Sequence, residues 1–333
     1  GDPVPASGPN KSDIDYVRVQ ISSGATYWNG SSWIVTSSWV PTNYSGGNWD
    51  YPGGLSGYSL PVWTDGADYT VKAEAYDRAG NVSALQTWNF RYDERLPQTA
   101  ITLPNSSYHK QGSLATLSGT AVDPGSNPSG LLKTELAILR VDTTKYWSWG
   151  AQSFTLDNGS YTAANLGNPA NWQHDWRLPV WDNYDGVTFR IYSRGQDNAY
   201  NYSAPVTSRT FAYDITKSTS VVTLPATAVN YYSSLPTISG TARDDTAGVQ
   251  TTKIAIRYVS PNTYWSGSGW GAPGVIYWRL VNGTTSWIYP SGGDTLPPAM
   301  WTSGQSYDII PWTIDAAGND STGTIKTFTY DNV

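Results

Sequence analysis

The sequence contains no cysteine, one methionine and two histidines among its 333 residues. The absence of cysteine excludes a disulfide framework and thiol chemistry, and no apolar run approaches the roughly 18 residues of a membrane-spanning helix. Charged residues make up only 14% of the chain, and a net charge of −6 without a clustered basic stretch argues against a nucleic-acid partner. His109 and His174 are isolated, and no nucleophile or phosphate-binding motif is present. We therefore expect no enzymatic activity and no membrane insertion.

Aromatic residues are abundant instead. The 17 tryptophans and 24 tyrosines offer far more buriable surface than a disordered chain carries. One stretch that alternates apolar and small residues and ends in a turn occurs three times, at 69–81, 189–201 and 307–319, each time after a Leu-Pro pair and a tryptophan. The chain is therefore built from three copies of one unit.

The repeated stretch has the pattern of a strand that runs into a tight turn. Apolar and small residues such as Tyr69 and Val71 fall on every second position, which places one face of the strand toward a core. Gly80 and its counterpart Gly318 stand where a left-handed turn favours glycine, whereas the second copy has Tyr200. A second aromatic strand follows each turn, so each unit ends in a hairpin.

We predict an all-β chain of three tandem immunoglobulin-like sandwich repeats, at 1–95, 96–216 and 217–333. About 120 residues per copy, many short strands and no helical pattern are typical of a β-sandwich. The repeated stretch would be strand F and the aromatic strand after it strand G. Only a tyrosine near the start of strand F could form the corner hydrogen bond of this fold. The residues at that position are Tyr69, Phe189 and Tyr307.

The first copy lacks two strands that the other copies possess. The second copy has strands at 99–104 and 116–123 with counterparts at 219–225 and 237–244 in the third, but residues 1–13 resemble a loop. The first repeat would therefore have an open sheet and an exposed core. Either the chain is cut from a longer array, or another subunit supplies the missing strands.

The middle of each copy is rich in tryptophan, and its tryptophans fall into two classes. Those that recur in all copies are expected in the core: Trp28, Trp147 and Trp265, and Trp63, Trp181 and Trp301. Those in the variable loops are candidates for contact with a ligand or a neighbouring chain: Trp33, Trp39, Trp172 and Trp270. Flat aromatic side chains stack on sugar rings, but they also form the interfaces that neighbouring protein units bury.

The succession Ser-Gly-Thr-Ala-x-Asp, then a strand ending in Asp-x-Ala-Gly-Asn, then a strand ending in Tyr-Asp, resembles the bacterial immunoglobulin-like repeats of giant surface adhesins. The resemblance covers the edges of each unit, about half its length; the tryptophan-rich middle departs from it, as does Tyr200. It implies an extracellular or cell-surface protein that projects and attaches cells through a tandem stalk.

The same resemblance implies calcium at the junctions between repeats, held by aspartates. Matching residues occur in the linkers (Asp93, Asp214 and Asp331), in the loops before strand C (Asp2, Asp123 and Asp244) and in the F–G hairpins (Asp77, Asp197 and Asp315). We expect Asp93 to meet Asp123 and Asp197, and Asp214 to meet Asp244 and Asp315. Oxygen clusters of this kind suit Ca²⁺. The alternative is that these aspartates only cap turns.

The sequence favours a structural protein, a stalk or filament subunit whose partners are its own neighbours in the array and whose aromatic loops mediate assembly or adhesion. The alternative is an array of carbohydrate-binding modules in which exposed tryptophans bind a surface polysaccharide. Binding to insoluble polysaccharide favours the second interpretation, and concentration-dependent self-association favours the first.

Overall fold

The computed structural model describes residues 13–226 and 230–333. This part of the chain consists of strands, turns and two short 3-10 helices, Trp181–Tyr184 and Pro298–Met300. It contains no helix long and apolar enough to cross a membrane. The predicted all-β class is confirmed. The predicted loop aspartate Asp2 lies outside the described residues.

The first group of strands forms one sheet and a separate hairpin. The strands are β1 (Ile14–Ser23), β2 (Thr26–Trp28), β3 (Trp33–Ile34), β4 (Val40–Pro41), β5 (Asn43–Ser45), β6 (Asn48–Asp50), β7 (Asp68–Asp77) and β8 (Gln86–Arg91). The sheet has the order β3-β2-β1-β7-β8, with β4 paired to β1, and β5 and β6 pair only with each other. In immunoglobulin order, β1, β7 and β8 are strands C, F and G.

The second group forms two sheets. The strands are β9 (Gln98–Leu103), β10 (Tyr108–His109), β11 (Leu117–Val122), β12 (Leu131–Arg140), β13 (Lys145–Ser148), β14 (Ser153–Leu156), β15 (Thr162–Ala163), β16 (Leu166–Asn168), β17 (Asn171–His174), β18 (Thr188–Asp197) and β19 (Thr207–Tyr213). One sheet has the order β10-β19-β18-β12-β13-β14 with β15 on β12, and the other β16-β17-β11-β9. These are the A′GFCC′ and ABED sheets of an immunoglobulin-like sandwich.

The third group repeats this plan. Its strands are β20 (Thr219–Leu224), β21 (Tyr231–Tyr232), β22 (Ile238–Arg243), β23 (Val249–Tyr258), β24 (Thr263–Tyr264), β25 (Arg279–Leu280), β26 (Ser286–Tyr289), β27 (Gln305–Asp315), β28 (Asp320–Thr322) and β29 (Lys326–Tyr330). The sheets have the orders β20-β22-β26 and β21-β29-β27-β23-β24, with β25 on β23 and β28 on β27. Every sheet draws its strands from one predicted repeat, while the repeat boundaries themselves remain predictions.

The cores lie between the paired sheets because strand periodicity sends alternate side chains inward. In the second group, Leu136, Ile138 and Ile191 from one sheet meet Leu117 and Trp172 from the other, and all five are fully buried. The recurring tryptophans are shielded from solvent, as expected of core residues: Trp28, Trp147, Trp181, Trp265 and Trp301 are buried and Trp63 is half-buried.

The corner hydrogen bond is present only where the sequence has tyrosine. The Tyr69 hydroxyl accepts a 2.8 Å hydrogen bond from the Thr64 amide, and the Tyr307 hydroxyl accepts one of 2.8 Å from the Thr302 amide. Phe189 occupies the same core position without a hydroxyl group. The assignment of β7, β18 and β27 as strand F is therefore consistent with their local contacts as well as with their order.

Candidate metal centres

Two clusters of aspartates lie where a linker enters the following sandwich. One contains Asp93, Asp123 and Asp197, and the other contains Asp214, Asp244 and Asp315; within each, one ligand oxygen per residue lies within 4.8 Å of the other two. Each cluster combines the residues that the sequence pattern selected: a linker residue, a residue after strand B and the last residue of strand F. The structure therefore brings all six aspartates into two equivalent sites.

Each hairpin aspartate is held by an asparagine four residues later. Asp197 Oδ1 accepts a hydrogen bond from the Asn201 amide at 2.8 Å, and Asn201 Nδ2 donates to Asp197 Oδ2 at 2.9 Å. The same Nδ2 also donates to the main-chain carbonyl of Asp93 at 2.9 Å. The third group repeats these contacts with Asp315, Asn319 and Asp214. The F–G hairpin thus fixes both its own aspartate and the linker that approaches it.

The aspartates also cap turns, as the alternative interpretation predicts. Asp244 Oδ1 accepts hydrogen bonds from the amides of Thr246, Ala247 and Gly248 at 3.1, 2.8 and 2.8 Å. Asp123 Oδ2 accepts one from the Gly130 amide at 2.7 Å. Capping therefore accounts for the position of these loops, but in Asp123 and Asp244 it uses only one oxygen of the carboxylate.

The remaining oxygens are what capping does not explain. Asp123 Oδ1, Asp214 Oδ2 and Asp244 Oδ2 are buried without a hydrogen-bond partner, and leaving such an atom unsatisfied is costly. In the described part of the chain, none of the six aspartates forms an ion pair with lysine or arginine. A divalent cation would coordinate these unpaired oxygens and would neutralise the repulsion between the buried carboxylates.

Burial and mutual repulsion change the acidity of two cluster members. Burial, with the charges of Asp244 and Asp315, raises the pKa of Asp214 to about 6. Burial, with the charges of Asp93 and Asp197, also raises the pKa of Asp123. A bound cation stabilises the charged form of such a carboxyl group, because its positive charge offsets the repulsion and its coordination compensates for the lost hydration.

Two predicted positions are not part of a cluster among the described residues. Asp77 caps its own turn by accepting hydrogen bonds from the Ala79 and Asn81 amides at 2.9 and 2.7 Å, and its expected loop partner, Asp2, lies outside the described part. Asp331 is exposed and accepts a hydrogen bond from the Ser303 hydroxyl at 3.3 Å. The assignment of metal to any of these aspartates stays a prediction.

The four candidate contact tryptophans are all engaged in packing. Trp172 is fully buried, so its indole is not available to a ligand, and the expectation of an exposed contact is corrected for this residue. Trp270 is half-buried and stacks on Tyr307 at 5.7 Å. Trp33 lies edge-on to Trp28 at 5.5 Å, and Trp39 lies under the Arg18 guanidinium at 4.8 Å.

Different tryptophans are exposed. Trp88 on β8 is 72% exposed and Trp49 on β6 is 43% exposed, although Trp49 matches Trp172 and Trp287, which are buried. For Trp49 the sequence signal is the missing pair of strands in the first copy, because those strands cover the equivalent Trp172 and Trp287 in the other copies. Trp88 is matched by Arg209 and Lys326 at the same position of strand G. For Trp172, a variable loop position did not predict exposure, whereas the roles of Trp33, Trp39 and Trp270 stay predictions.

No protein-family model matches the chain, and no curated protein matches it. Among solved structures, similarity is found to a 1.5-MDa bacterial ice-binding adhesin (14% identity, 97% of this chain, 88% of that chain, TM-score 0.34). Similarity is also found to a Ca²⁺-stabilised, ice-binding adhesin of an Antarctic bacterium (16% identity, 96% of this chain, 66% of that chain, TM-score 0.32). Titin domains A168–A170 give comparable values (10% identity, 96% of this chain, 98% of that chain, TM-score 0.35). All three scores are below 0.5, and the fold assignment rests on the chain's own sheet topology.

Proposed function

We propose that the chain is a segment of an extracellular stalk or filament in which tandem sandwiches are held in line by calcium at their junctions. The observation that carries the proposal is the repetition of one three-aspartate cluster at both junctions, each with a linker residue and two residues of the next sandwich. A mechanical role requires the junctions to be stiff, because consecutive units of a linear array contact only their neighbours. Its partners would be neighbouring units of the same array.

Calcium fits the two clusters better than a smaller or softer cation. The clusters offer carboxylate oxygens, whereas zinc and copper prefer nitrogen and sulfur ligands. Ca²⁺ accepts six to eight oxygens in irregular geometry, whereas Mg²⁺ requires a near-octahedral set and keeps its waters. Each site draws on three loops of different conformation, which favours the tolerant cation.

The proposal is tested by calorimetric titration of the metal-stripped protein with Ca²⁺. We expect two ions per chain, because residues 13–226 and 230–333 contain two equivalent clusters. The variants Asp123→Asn and Asp214→Asn should each bind one calcium ion per chain, because each substitution weakens one of the two clusters. Both substitutions suit the purpose, since one carboxylate oxygen of each residue accepts a main-chain hydrogen bond and the other has no partner. An amide can keep the cap while it weakens the cation site.

The matched control is Asp142→Asn, which removes a half-exposed carboxylate paired with Arg140 at 2.8 Å and should leave two ions. Two results contradict the proposal: no calcium binding by the intact chain, or the same stoichiometry for Asp123→Asn and Asp214→Asn as for the control.

The four candidate contact tryptophans give no support to the carbohydrate-binding alternative over the structural one. Trp172 is inside the core, and Trp33, Trp39 and Trp270 are occupied by aromatic or cationic neighbours. Of the exposed tryptophans, Trp176 is 50% exposed and lies under the Arg177 guanidinium at 4.2 Å. Trp49 and Trp88 lie together on the open face of the first sheet, where the repeat pattern supplies a different explanation.

A further inference from the structure

No described residue outside the first group covers the inner face of its sheet. Trp49, Val71, Ala73, Trp88 and Phe90 line a groove of about 480 Å³ on this face, together with a single glutamine. Trp88 is 72% exposed and Val71 is half-buried. An apolar surface of this kind on a sheet that forms half of a sandwich has lost the contacts that would stabilise it.

The other two groups show what covers this face. Ile191 and Ile309 match Val71 along strand F, and both are fully buried under a second sheet. That sheet contains β9 and β11 in the second group and β20 and β22 in the third. The first group has no counterpart of these strands among its described residues. The second sheets of the other two groups therefore show which kind of segment would cover this face.

Trp49 identifies the position of one missing strand. In the second group, Trp172 packs flat against Gly119 of β11; a Cβ atom added to Gly119 would lie 2.3 Å from the Trp172 ring. In the third group the same contact joins Trp287 and Gly240, with a corresponding distance of 2.1 Å. Trp49 occupies the equivalent position, opposite Tyr44 in the β5–β6 hairpin. It needs a glycine-bearing strand beside it to be buried in the same way.

The backbone edges are also available. The edge of β17 is paired with β11 through Gly119↔Trp172 and its neighbours, and β19 carries the short parallel strand β10 on its outer edge. Their equivalents β6 and β8 have no strand on these edges in the described part of the chain. Unpaired edges of this kind bind added strands through main-chain hydrogen bonds.

We infer that this face binds a polypeptide segment with the chemistry of residues 98–122. Such a segment supplies three short strands, places apolar side chains over Val71 and Phe90, whose equivalents Ile191 and Phe211 are buried in this way, and sets the glycine of a Ser-Gly-Thr-Ala sequence against Trp49. Two features therefore define the occupant. It has an apolar pattern that matches the face, and it has glycine at the position that lies against Trp49. This inference does not depend on calcium binding.

The test adds a copy of residues 98–122 in front of residue 1, because Asp2 matches Asp123, the residue that follows the segment. We expect slower amide exchange at 48–50 and at 86–91, measured by hydrogen-exchange mass spectrometry. We also expect the first unfolding transition to rise by at least about 5 °C, the size of a stabilisation near 1 kcal/mol in one domain.

The decisive control is the same graft with its Gly119 equivalent changed to valine, which should lose the protection at 48–50. The separate peptide 98–122, added to the chain without a graft, should protect the same strands in proportion to its concentration. The inference is overturned if neither the graft nor the peptide slows exchange there, or if the valine graft protects equally. It is also overturned if the chain alone forms dimers that protect these strands, because a second copy would then be the occupant.

Discussion

The three F–G turns show how a single residue can hold a geometry that its type disfavours. Gly80, Tyr200 and Gly318 all have positive φ angles, of 83°, 69° and 92°. Each donates its amide to the carbonyl of the turn aspartate, at 3.0, 3.1 and 3.1 Å. The turn is therefore the same in all three, and the missing glycine in the second copy does not change it. The difference is one of strain, since only glycine enters this region without cost.

Replacing Tyr200 by glycine should stabilise the second sandwich. The side chain is 73% exposed, so its removal relieves the left-handed strain at the expense of greater freedom in the unfolded chain, with a net gain of about 0.5 kcal/mol. Gly80→Ala should have the opposite effect, a loss of about 1 kcal/mol, because nothing crowds the added methyl and the φ angle alone opposes it. Urea unfolding measures the free energy of unfolding of both variants. The same change in both variants would refute this account of the turn.

The raised pKa of Asp214 makes stability depend on pH. Since the folded pKa is about 6 against an ordinary value of 3.8, the folded protein holds a proton that the unfolded chain has released. Stability in chelator should therefore fall as pH rises from about 4 to about 6. Asp214→Asn should remove this loss, and its advantage over the wild type above pH 6 should be on the order of 1–3 kcal/mol.

The comparison between the variant and the wild type is necessary because two histidines act in the opposite direction. Burial lowers the pKa of His109 and His174, so their contribution to stability is lost as pH falls below about 6.5. That contribution cancels in the difference. Saturating Ca²⁺ should reverse the order at pH 7, with the wild type more stable. An advantage of Asp214→Asn that does not change between pH 4 and pH 7 would disprove the electrostatic argument.

At the scale of elements, the packing of strand B on a tryptophan decides which residues the sandwich tolerates. A Cβ atom on Gly240 of β22 would lie 2.1 Å from the Trp287 ring and 2.3 Å from the Val221 carbonyl oxygen. Backbone on one side and a buried ring on the other leave little room to adjust.

Gly240→Ala should therefore lower the free energy of unfolding by about 1–3 kcal/mol through overpacking. The neighbouring exposed change Thr241→Ala should stay within about 0.5 kcal/mol. Thermal unfolding of both variants checks this, and a harmless Gly240→Ala would show that β22 and β26 separate more easily than the structure indicates.

These elements also show how far the sequence alone leads. The alternation in β7, β18 and β27 and the turn that follows are local features, and strands F and G could be predicted from them. The meeting of Asp93 with Asp123 and Asp197 could be expected because corresponding loops of a sandwich lie at one end. The burial of Trp172 could not, since it depends on Gly119, a residue distant in sequence that comes beside it only after the strands pair.

At the scale of the whole molecule, the first junction contains direct contacts besides the aspartates. Asn127 Nδ2 donates to the Gly66 carbonyl at 2.8 Å, and Arg91 donates to the Pro128 carbonyl at 3.1 Å. The first bond is partly buried and the second is exposed, and single polar bonds of this kind contribute little to stiffness. A cation that joins a linker carboxylate to two loops of the next sandwich would provide a much stronger constraint.

Removing calcium should therefore loosen the array without unfolding its sandwiches. The most direct test is the distribution of distances between two spin labels, one on the first group at Val35→Cys and one on the third at Leu280→Cys. Both sites are exposed, and the chain has no cysteine of its own. We predict a narrow distribution in Ca²⁺ that broadens in chelator, and partial broadening in Ca²⁺ for Asp214→Asn. Identical distributions in Ca²⁺ and in chelator would contradict the claim that the junction aspartates hold the units in line.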